Sequence, residues 1–431
     1  MSRLLTIGSR PPTRRPGRCP NGRERGAALL VVITSVAILT AVTVDLAYNT
    51  RVSLQAAANA RDELRAYYLA KSAVSMSRLV LQLQQRLDGA AQGIGGAQGR
   101  LGLRLWDLIP VDSSAASLFL GGSAAGAPAR IQPAAQQSEG GPTPAEGARR
   151  AFGDVEGSFH ATIDDEERKV NIRQFDAIGS FPLAQTARLA DLVKDPRWDF
   201  LFDEDDANGL RVSRRDLFAA LKDFEDPDET SSTFTGAATR PFENGFGDEN
   251  GLYDRLPDRY KTKNAPYDSL DELYMVAGVS DAFMAAFGDK LTVYPDLSAT
   301  INVNTDDPEQ LLVNALLMAD PPGVPQPALV DPAFVTKLRA AIALAKPLPF
   351  MAITPQQFAQ VLQALGVKVN TVYLQTNNPA SAFGDRSATF HISAVGVAGD
   401  VTKRIDAVVT FDRRAEGLAQ DAGRLLHWHE E

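Results

Sequence analysis

Two short acidic segments contain the residues best suited to chemistry. They are Asp223–Glu229, with the sequence DFEDPDE, and Gly247–Asp254, with the sequence GDENGLYD. Closely spaced carboxylates repel one another unless a cation or solvent relieves the repulsion, and Ca²⁺ takes about six to eight oxygen ligands. The two segments therefore fit either a calcium site or solvated loops on an acidic protein.

A third acidic segment, Asp203–Gly209, partly matches the start of an EF-hand loop. Glu204, Asp206 and Asn208 alternate as EF-hand ligands do, and a glycine follows them. The last position of such a loop must supply a bidentate carboxylate, and here it would be Arg215. Because an arginine cannot bind a cation, we interpret this segment as a surface loop.

The residues that usually perform catalysis are few. His160 and His391 lie in strand-like alternation, whereas His427 and His429 belong to the terminal sequence HWHEE, which we interpret as a frayed terminus without a site. The single cysteine, Cys19, lies in the N-terminal arm, and no HExxH, GxSxG or phosphate-binding glycine loop occurs. We therefore predict that the chain is not an enzyme.

One segment is similar to the helix–hairpin–helix units of DNA-binding proteins. It has the pattern Leu273-x-x-Val276-x-Gly278-Val279. However, Ser280 stands where a second hairpin glycine is usual, and the flanking residues are acidic: Asp268, Asp271, Glu272 and Asp281. Since phosphate neutralisation supplies most nucleic-acid affinity, we predict no nucleic-acid partner.

An apolar run near the N-terminus must position the remainder of the chain relative to a membrane. Ala27–Val44 is uncharged and long enough, as a helix, to match the bilayer core. The preceding residues 1–26 carry seven arginines and one glutamate, while the whole chain has a net charge of −9. The positive-inside bias predicts a single-pass protein with a cytoplasmic N-terminus and an acidic body beyond the membrane.

The sequence predicts six parts, of which the first is a basic leader peptide, residues 1–26. Amphipathic sequence continues the helix over 27–88, with an apolar stripe formed by Leu69, Ala73, Met76, Val80, Leu83 and Leu87. Residues 89–150 are rich in glycine and alanine and predict a linker region. Residues 151–173 predict the first strands of a sheet, 174–370 an inserted helical domain, and 371–431 the last strands and a C-terminal tail.

Two hairpins are predicted at the ends of the body. Gly157–Ile172 alternates apolar and polar residues around the charged cluster Asp164–Arg168, which is placed like a turn. A second alternating pair is separated by the turn dipeptide Gly399-Asp400. The fold class is therefore α+β: a long N-terminal helix on an antiparallel sheet, with a large all-helical insertion.

Four stretches of this sequence have a distinctive wording: RERGAALLVV, LAYNTRVSLQAAANARDELRAYYLAKSAV, DRYKTKNAPYDSLDELYMVAGVSDAFM and LTVYPDLSATINVNTDDPEQLL. They resemble the minor pseudopilin K (GspK) family of type II secretion systems. The resemblance covers about two thirds of the chain. It implies a pilin-like fold, cleavage by prepilin peptidase between Gly26 and Ala27, and N-methylation of Ala27. It also implies a subunit of a periplasmic pseudopilus anchored in a bacterial inner membrane.

The residue at mature position five is Val31, where most pilin-like subunits have a glutamate. In the family, that glutamate neutralises the terminal ammonium of the subunit ahead, which offsets the cost of a carboxylate in the membrane. A subunit with nothing ahead of it needs no such partner. Val31 therefore fits a position at the tip of the filament, as the resemblance to K-type subunits also implies.

The resemblance has three further implications. The acidic segments correspond to segments that the family uses around calcium, which makes the ligand candidates Asp223, Glu225, Asp226, Asp228, Asp248 and Glu249. The partners would be the I- and J-type minor pseudopilins, other pseudopilins and secreted substrate proteins. The chain would initiate or cap the pseudopilus and so assist export across the outer membrane. The alternatives are a minor pilin of a type IV pilus, or a membrane-tethered domain that binds peptidoglycan or nucleic acid.

Overall fold

The computed structural model describes residues 22–95, 104–113, 157–205, 209–237, 240–256, 258–305, 307–346, 351–374, 382–411 and 423–431. Residues 1–21 of the predicted leader, and 96–103 and 114–150 of the predicted linker, lie outside this part. The helices are α1 Gly22–Gly95, α2 Leu105–Leu108, α3 Phe181–Val193, α4 Phe200–Asp203, α5 Arg214–Asp223, α6 Asp281–Phe287, α7 Pro308–Met318, α8 Phe334–Ala345 and α9 Pro355–Ala364.

The strands are short except in one sheet. They are β1 Val111–Asp112, β2 Ser158–Asp165, β3 Val170–Asn171, β4 Thr230–Phe234, β5 Phe242–Asp248, β6 Leu291–Thr292, β7 Ile301–Asn302, β8 Phe383–Gly384, β9 Thr389–Ala398, β10 Val401–Thr410 and β11 Arg424–Glu430. Five of them form an antiparallel sheet in the order β1-β2-β9-β10-β11. The chain divides into two compact units, Met1–Asp62 and Glu63–Glu431.

The part of α1 in the first unit has the character of a membrane span. Its apolar side chains are exposed, and none of the most apolar 18-residue window is buried. The hydroxyls of Thr34, Thr40 and Thr43 donate to backbone carbonyls four residues earlier, at 2.6–2.9 Å. These three hydroxyls are thus satisfied within the helix, as a bilayer requires.

The part of α1 in the second unit packs on the five-stranded sheet. Ala66, Ala70 and Ala73 are fully buried against the sheet's inner face. Gly396 permits this approach, because an added Cβ would lie 2.1 Å from the Ala66 carbonyl oxygen. The predicted stripe is correct for its first four members, whereas Leu83 and Leu87 remain about 40% exposed. A straight helix drifts relative to a strict seven-residue repeat, so the buried face moves to neighbouring positions.

The prediction of the second hairpin is confirmed, and that of the first is wrong. β9 and β10 pair along their whole length, with Ala398 opposite Val401 around the Gly399-Asp400 turn. After β2, by contrast, the cluster forms a 3₁₀-helix, Glu166–Arg168, and β3 pairs in parallel with β6. The cause is Glu167, whose buried carboxylate accepts hydrogen bonds from the backbone N–H groups of Ala388 and Thr389.

Two other expectations are corrected. The HWHEE terminus is not frayed, because β11 pairs with β10. Within the predicted linker, Val111 and Asp112 form the edge strand of the sheet, and the Trp106 ring contacts Phe390 at a centroid distance of 4.8 Å. Isolated residues of this kind carry too little periodicity to predict a strand.

The segment between β2 and β9 contains two buried apolar clusters. One surrounds α5 and α6, and the other surrounds α7, α8 and α9. The α+β class and the long helix on an antiparallel sheet are confirmed, but the segment is not entirely helical. Its β4–β5 pair is an antiparallel hairpin, which the sequence hides because glycines and serines dilute the apolar alternation.

Candidate metal centre

Helix α5 and the β4–β5 hairpin bring the two acidic segments together. Ser213 caps α5 by accepting from the Asp216 N–H, and Leu217 and Leu221 anchor the helix in the apolar cluster. Asp223 is the last residue of α5. β5 ends at Asp248, whose side chain caps the following 3₁₀-helix and so places Glu249 beside α5.

Three of the predicted ligands converge. Asp223, Asp226 and Glu249 each offer a carboxylate oxygen, and these oxygens lie within 4.8 Å of one another. All three residues are buried, with exposed fractions of 6%, 2% and 5%. This is an oxygen-only donor set inside the protein, which suits a hard dication such as Ca²⁺.

The hydrogen bonds around the group leave oxygens available. The Ser232 N–H donates to both carboxylate oxygens of Asp223, at 3.0 and 2.9 Å, and Lys222 pairs with Oδ2 of Asp226. Oδ1 of Asp226 and Oε1 of Glu249 are buried and have no hydrogen-bond partner among the described residues. Unsatisfied buried carboxylate oxygens are costly, and a cation would satisfy them.

The electrostatics of the group agree with this geometry. Burial raises the pKa of Asp223 to about 6 and also raises the pKa of Asp226, although Lys222 opposes the second effect. Burial and the negative charge of Asp226 raise the pKa of Glu249 to about 8. Without a cation Glu249 therefore retains its proton near neutral pH, and a bound cation would displace it.

The remaining predicted ligands lie outside the group of three. Glu225 is buried, and neither of its carboxylate oxygens has a partner among the described residues; burial raises its pKa to about 7, opposed by the charge of Arg173. Asp228 is exposed and accepts from the Thr230 N–H at 2.8 Å. Asp248 is exposed, and the hydrogen bonds that it accepts from Asn250 lower its pKa.

Sequence reasoning missed three residues that shape the group. Lys222 lies four positions before Asp226, a helical ion-pair spacing that could have identified it. The Ser232 N–H binds Asp223 only because of the hairpin, and the Thr262 hydroxyl lies 3.5 Å from Oε2 of Glu249. The last two contacts depend on the tertiary fold and leave no local signal.

The other residues singled out in the sequence lie on α1, in the EF-hand-like segment and in the helix–hairpin–helix-like segment. Gly26 and Ala27 lie within α1, four and five residues after it begins, and the Val31 side chain is 62% exposed. Of the EF-hand-like segment, Asp206 and Asn208 lie outside the described residues. In the helix–hairpin–helix-like segment, Gly278 has a φ of +88°, Val276 and Val279 are buried, and the Ser280 side chain caps α6.

The chain was compared with known proteins. No protein-family model matches it, and neither does any curated protein sequence. Among solved structures, the crystal structure of the GspK-GspI-GspJ complex from the type 2 secretion system of enterotoxigenic Escherichia coli is similar to it. The alignment covers 64% of this chain and 80% of the matched chain, at 12% identity and a TM-score of 0.37. A TM-score of this size is too low to assign a fold or a function, so the similarity stands as an observation beside the sequence resemblance.

Proposed function

We propose that the chain is a minor pseudopilin at the tip of a type II secretion pseudopilus, where it initiates or caps assembly. The observation that carries the proposal is α1, a single helix whose first part is apolar and exposed and whose later part is buried on an antiparallel sheet. Such a helix can reside in the bacterial inner membrane and later enter a filament. Prepilin peptidase would cut between Gly26 and Ala27, and Ala27 would be methylated.

The second part of α1 also supports assembly with similar helices. Leu64, Tyr68 and Leu79 are 61%, 60% and 55% exposed, although they lie on the part of α1 that packs on the five-stranded sheet. Large apolar side chains at interfaces supply much of the binding energy when a partner covers them. I- and J-type pseudopilins would provide the covering helices, with the body in the periplasm and in reach of secreted substrates.

The test is purification of tagged full-length protein from membranes, combined with a secretion assay in a deletion strain. We expect pseudopilin partners to co-purify and secretion to fall on deletion. Leu64→Glu and Tyr68→Glu should weaken co-purification, whereas Leu344→Glu should not, because Leu344 is 88% exposed on a different helix, α8. Co-purification with pilus subunits would favour a type IV minor pilin. Absence of any pilin-like partner together with intact secretion would overturn the proposal.

Calcium is the second part of the proposal. Asp223, Asp226 and Glu249 would be its ligands, with Glu225, Asp228 and Asp248 as further candidates from the same two segments. The support is the buried oxygen-only group with two unpartnered oxygens. Bound calcium would fasten the β4–β5 hairpin to α5. Calorimetric titration of the full chain in detergent should give a saturable signal that Glu249→Gln abolishes, and the absence of heat would refute the site.

A further inference from the structure

A second cluster of ionisable side chains lies on the sheet face opposite α1. Along β10, Ile405, Ala407 and Val409 are buried against α1, so Asp406 and Val408 point to the opposite face. The register of β11 places His427 opposite Val408 and His429 opposite Asp406. His427 and His429 therefore project from the same face of one strand, two residues apart.

Neighbouring strands add side chains to this His-x-His pair. Asp406 lies directly opposite His429 and diagonal to His427. From β9, His391 contributes its Nε2 atom at 3.5 Å from Oδ1 of Asp406. The rings of His427 and His429 are nearly parallel, with centroids 6.4 Å apart. Three of the four histidines in the chain thus lie on the same sheet face as this carboxylate, and His391 contacts it.

This combination of donors differs chemically from the acidic group at α5. Imidazole nitrogen suits Zn²⁺, Cu²⁺ and Ni²⁺, and two histidines with one carboxylate leave positions open for water or a further ligand. We propose that His427, His429 and Asp406, which rotation of their side chains would bring onto one ion, bind a transition-metal dication such as Zn²⁺, with His391 oriented by Asp406 at the edge of the site. The site would join the last two strands of the sheet, and it does not rest on the proposed function.

Two neighbours define how the site would work. The Tyr294 ring packs against His427 at a centroid distance of 4.9 Å, which limits the positions of that imidazole. Arg404 competes for the carboxylate, since its Nε lies 2.8 Å from Oδ2 and its NH2 lies 3.2 Å from Oδ1 of Asp406. Its side chain is half exposed and can turn to solvent. A bound dication must therefore displace Arg404 from Asp406.

The competition gives a specific test. Zn²⁺ is titrated calorimetrically into the full chain in detergent with excess Ca²⁺, which occupies oxygen-only sites. We expect saturable binding that His429→Ala and Asp406→Asn each weaken by about 10-fold or more. Arg404→Gln should tighten it, because the carboxylate loses its competing cation. His160→Ala is the matched control: His160 lies on the same sheet face, opposite Val395, and should leave the affinity unchanged.

Two results would overturn the inference. One is the absence of saturable Zn²⁺ binding by the unaltered chain. The other is binding that survives both Asp406→Asn and His429→Ala, which would locate the metal elsewhere. Co²⁺ provides an independent readout, because its visible absorption reports nitrogen and oxygen ligands. Thermal unfolding of each variant without metal checks that the sheet remains intact. Because the His429 side chain is half exposed, its replacement should leave the fold intact, and a loss of binding then reports a lost ligand.

Discussion

The stabilisation of the protein by calcium should grow with pH and so oppose the pH dependence of the metal-free protein. In the folded protein burial raises the pKa of Asp223 to about 6 and that of Glu249 to about 8, whereas exposed carboxyls titrate near pH 4. Between about pH 4 and pH 8 the folded state therefore binds more protons than the unfolded state. By linkage, the free energy of unfolding in EGTA falls as the pH rises through this window.

Calcium opposes this trend because it binds the ionised form. At pH 5.5 a carboxyl with a pKa of about 8 is ionised in only about 0.3% of molecules, against about half at pH 8. The apparent calcium affinity should therefore fall by about 100-fold or more between these pH values. Calcium at about 100 times its pH 8 dissociation constant adds about 2.7 kcal/mol at pH 8, but only about 0.3 kcal/mol at pH 5.5.

The assay is differential scanning calorimetry of the full chain in detergent, in calcium and in EGTA, at both pH values. We expect calcium to raise Tm by about 3 °C at pH 8 and by less than about 1 °C at pH 5.5. Glu249→Gln should remove the response and raise Tm in EGTA at pH 8, because it removes a buried charge. Glu204→Gln, an exposed carboxylate in another loop, is the control. An equal calcium shift at both pH values would refute the reasoning.

Three further predictions concern the fold and the anchor. Gly396→Val should lower the free energy of unfolding, measured by denaturant titration, by about 3 kcal/mol, because the valine side chain would collide with α1 at Ala66. Gly288→Ala is the control and should change this free energy little, because the nearest atom lies at an ordinary contact distance of 3.5 Å. Glu167→Ala should cost about 2–4 kcal/mol by leaving two buried N–H groups unpaired, and Glu167→Gln, which keeps the accepting oxygen, should cost much less. Val31→Glu should reduce secretion by placing an unpaired carboxylate in the membrane, while Val31→Leu should not; equal secretion by both variants would contradict the tip assignment.

Local patterns predicted the elements whose stability is local. The apolar run of α1 and the alternation on either side of Gly399-Asp400 each specify a structure within a few tens of residues, and both are present. The first predicted hairpin is absent because a distant partner decides its conformation. Glu167 binds backbone groups more than two hundred positions away, and no periodicity in the sequence reports that contact.

The candidate metal centre was partly predictable, because the positions of its carboxylates are local features of the sequence but their convergence is not. The acidic segments were identifiable as ligand sources from the density of carboxylates alone. Which carboxylates meet depends on the β4–β5 hairpin, which returns Glu249 to Asp223 and Asp226. The histidine cluster was not predicted, because the HWHEE segment was interpreted as a frayed terminus, and the cluster forms only when β11 pairs with β10 and brings His429 opposite Asp406.

The central claim is that α1 is a processed pilin-type helix that serves first as an anchor and then as an assembly element. The most direct test is the mass of the N-terminal peptide of the chain purified from membranes. The account predicts a peptide that begins at Ala27 and carries one methyl group, with the apolar run retained. A chain that keeps the residues before Gly26, or one cut after the apolar run so that Ala27–Val44 is lost, would contradict it.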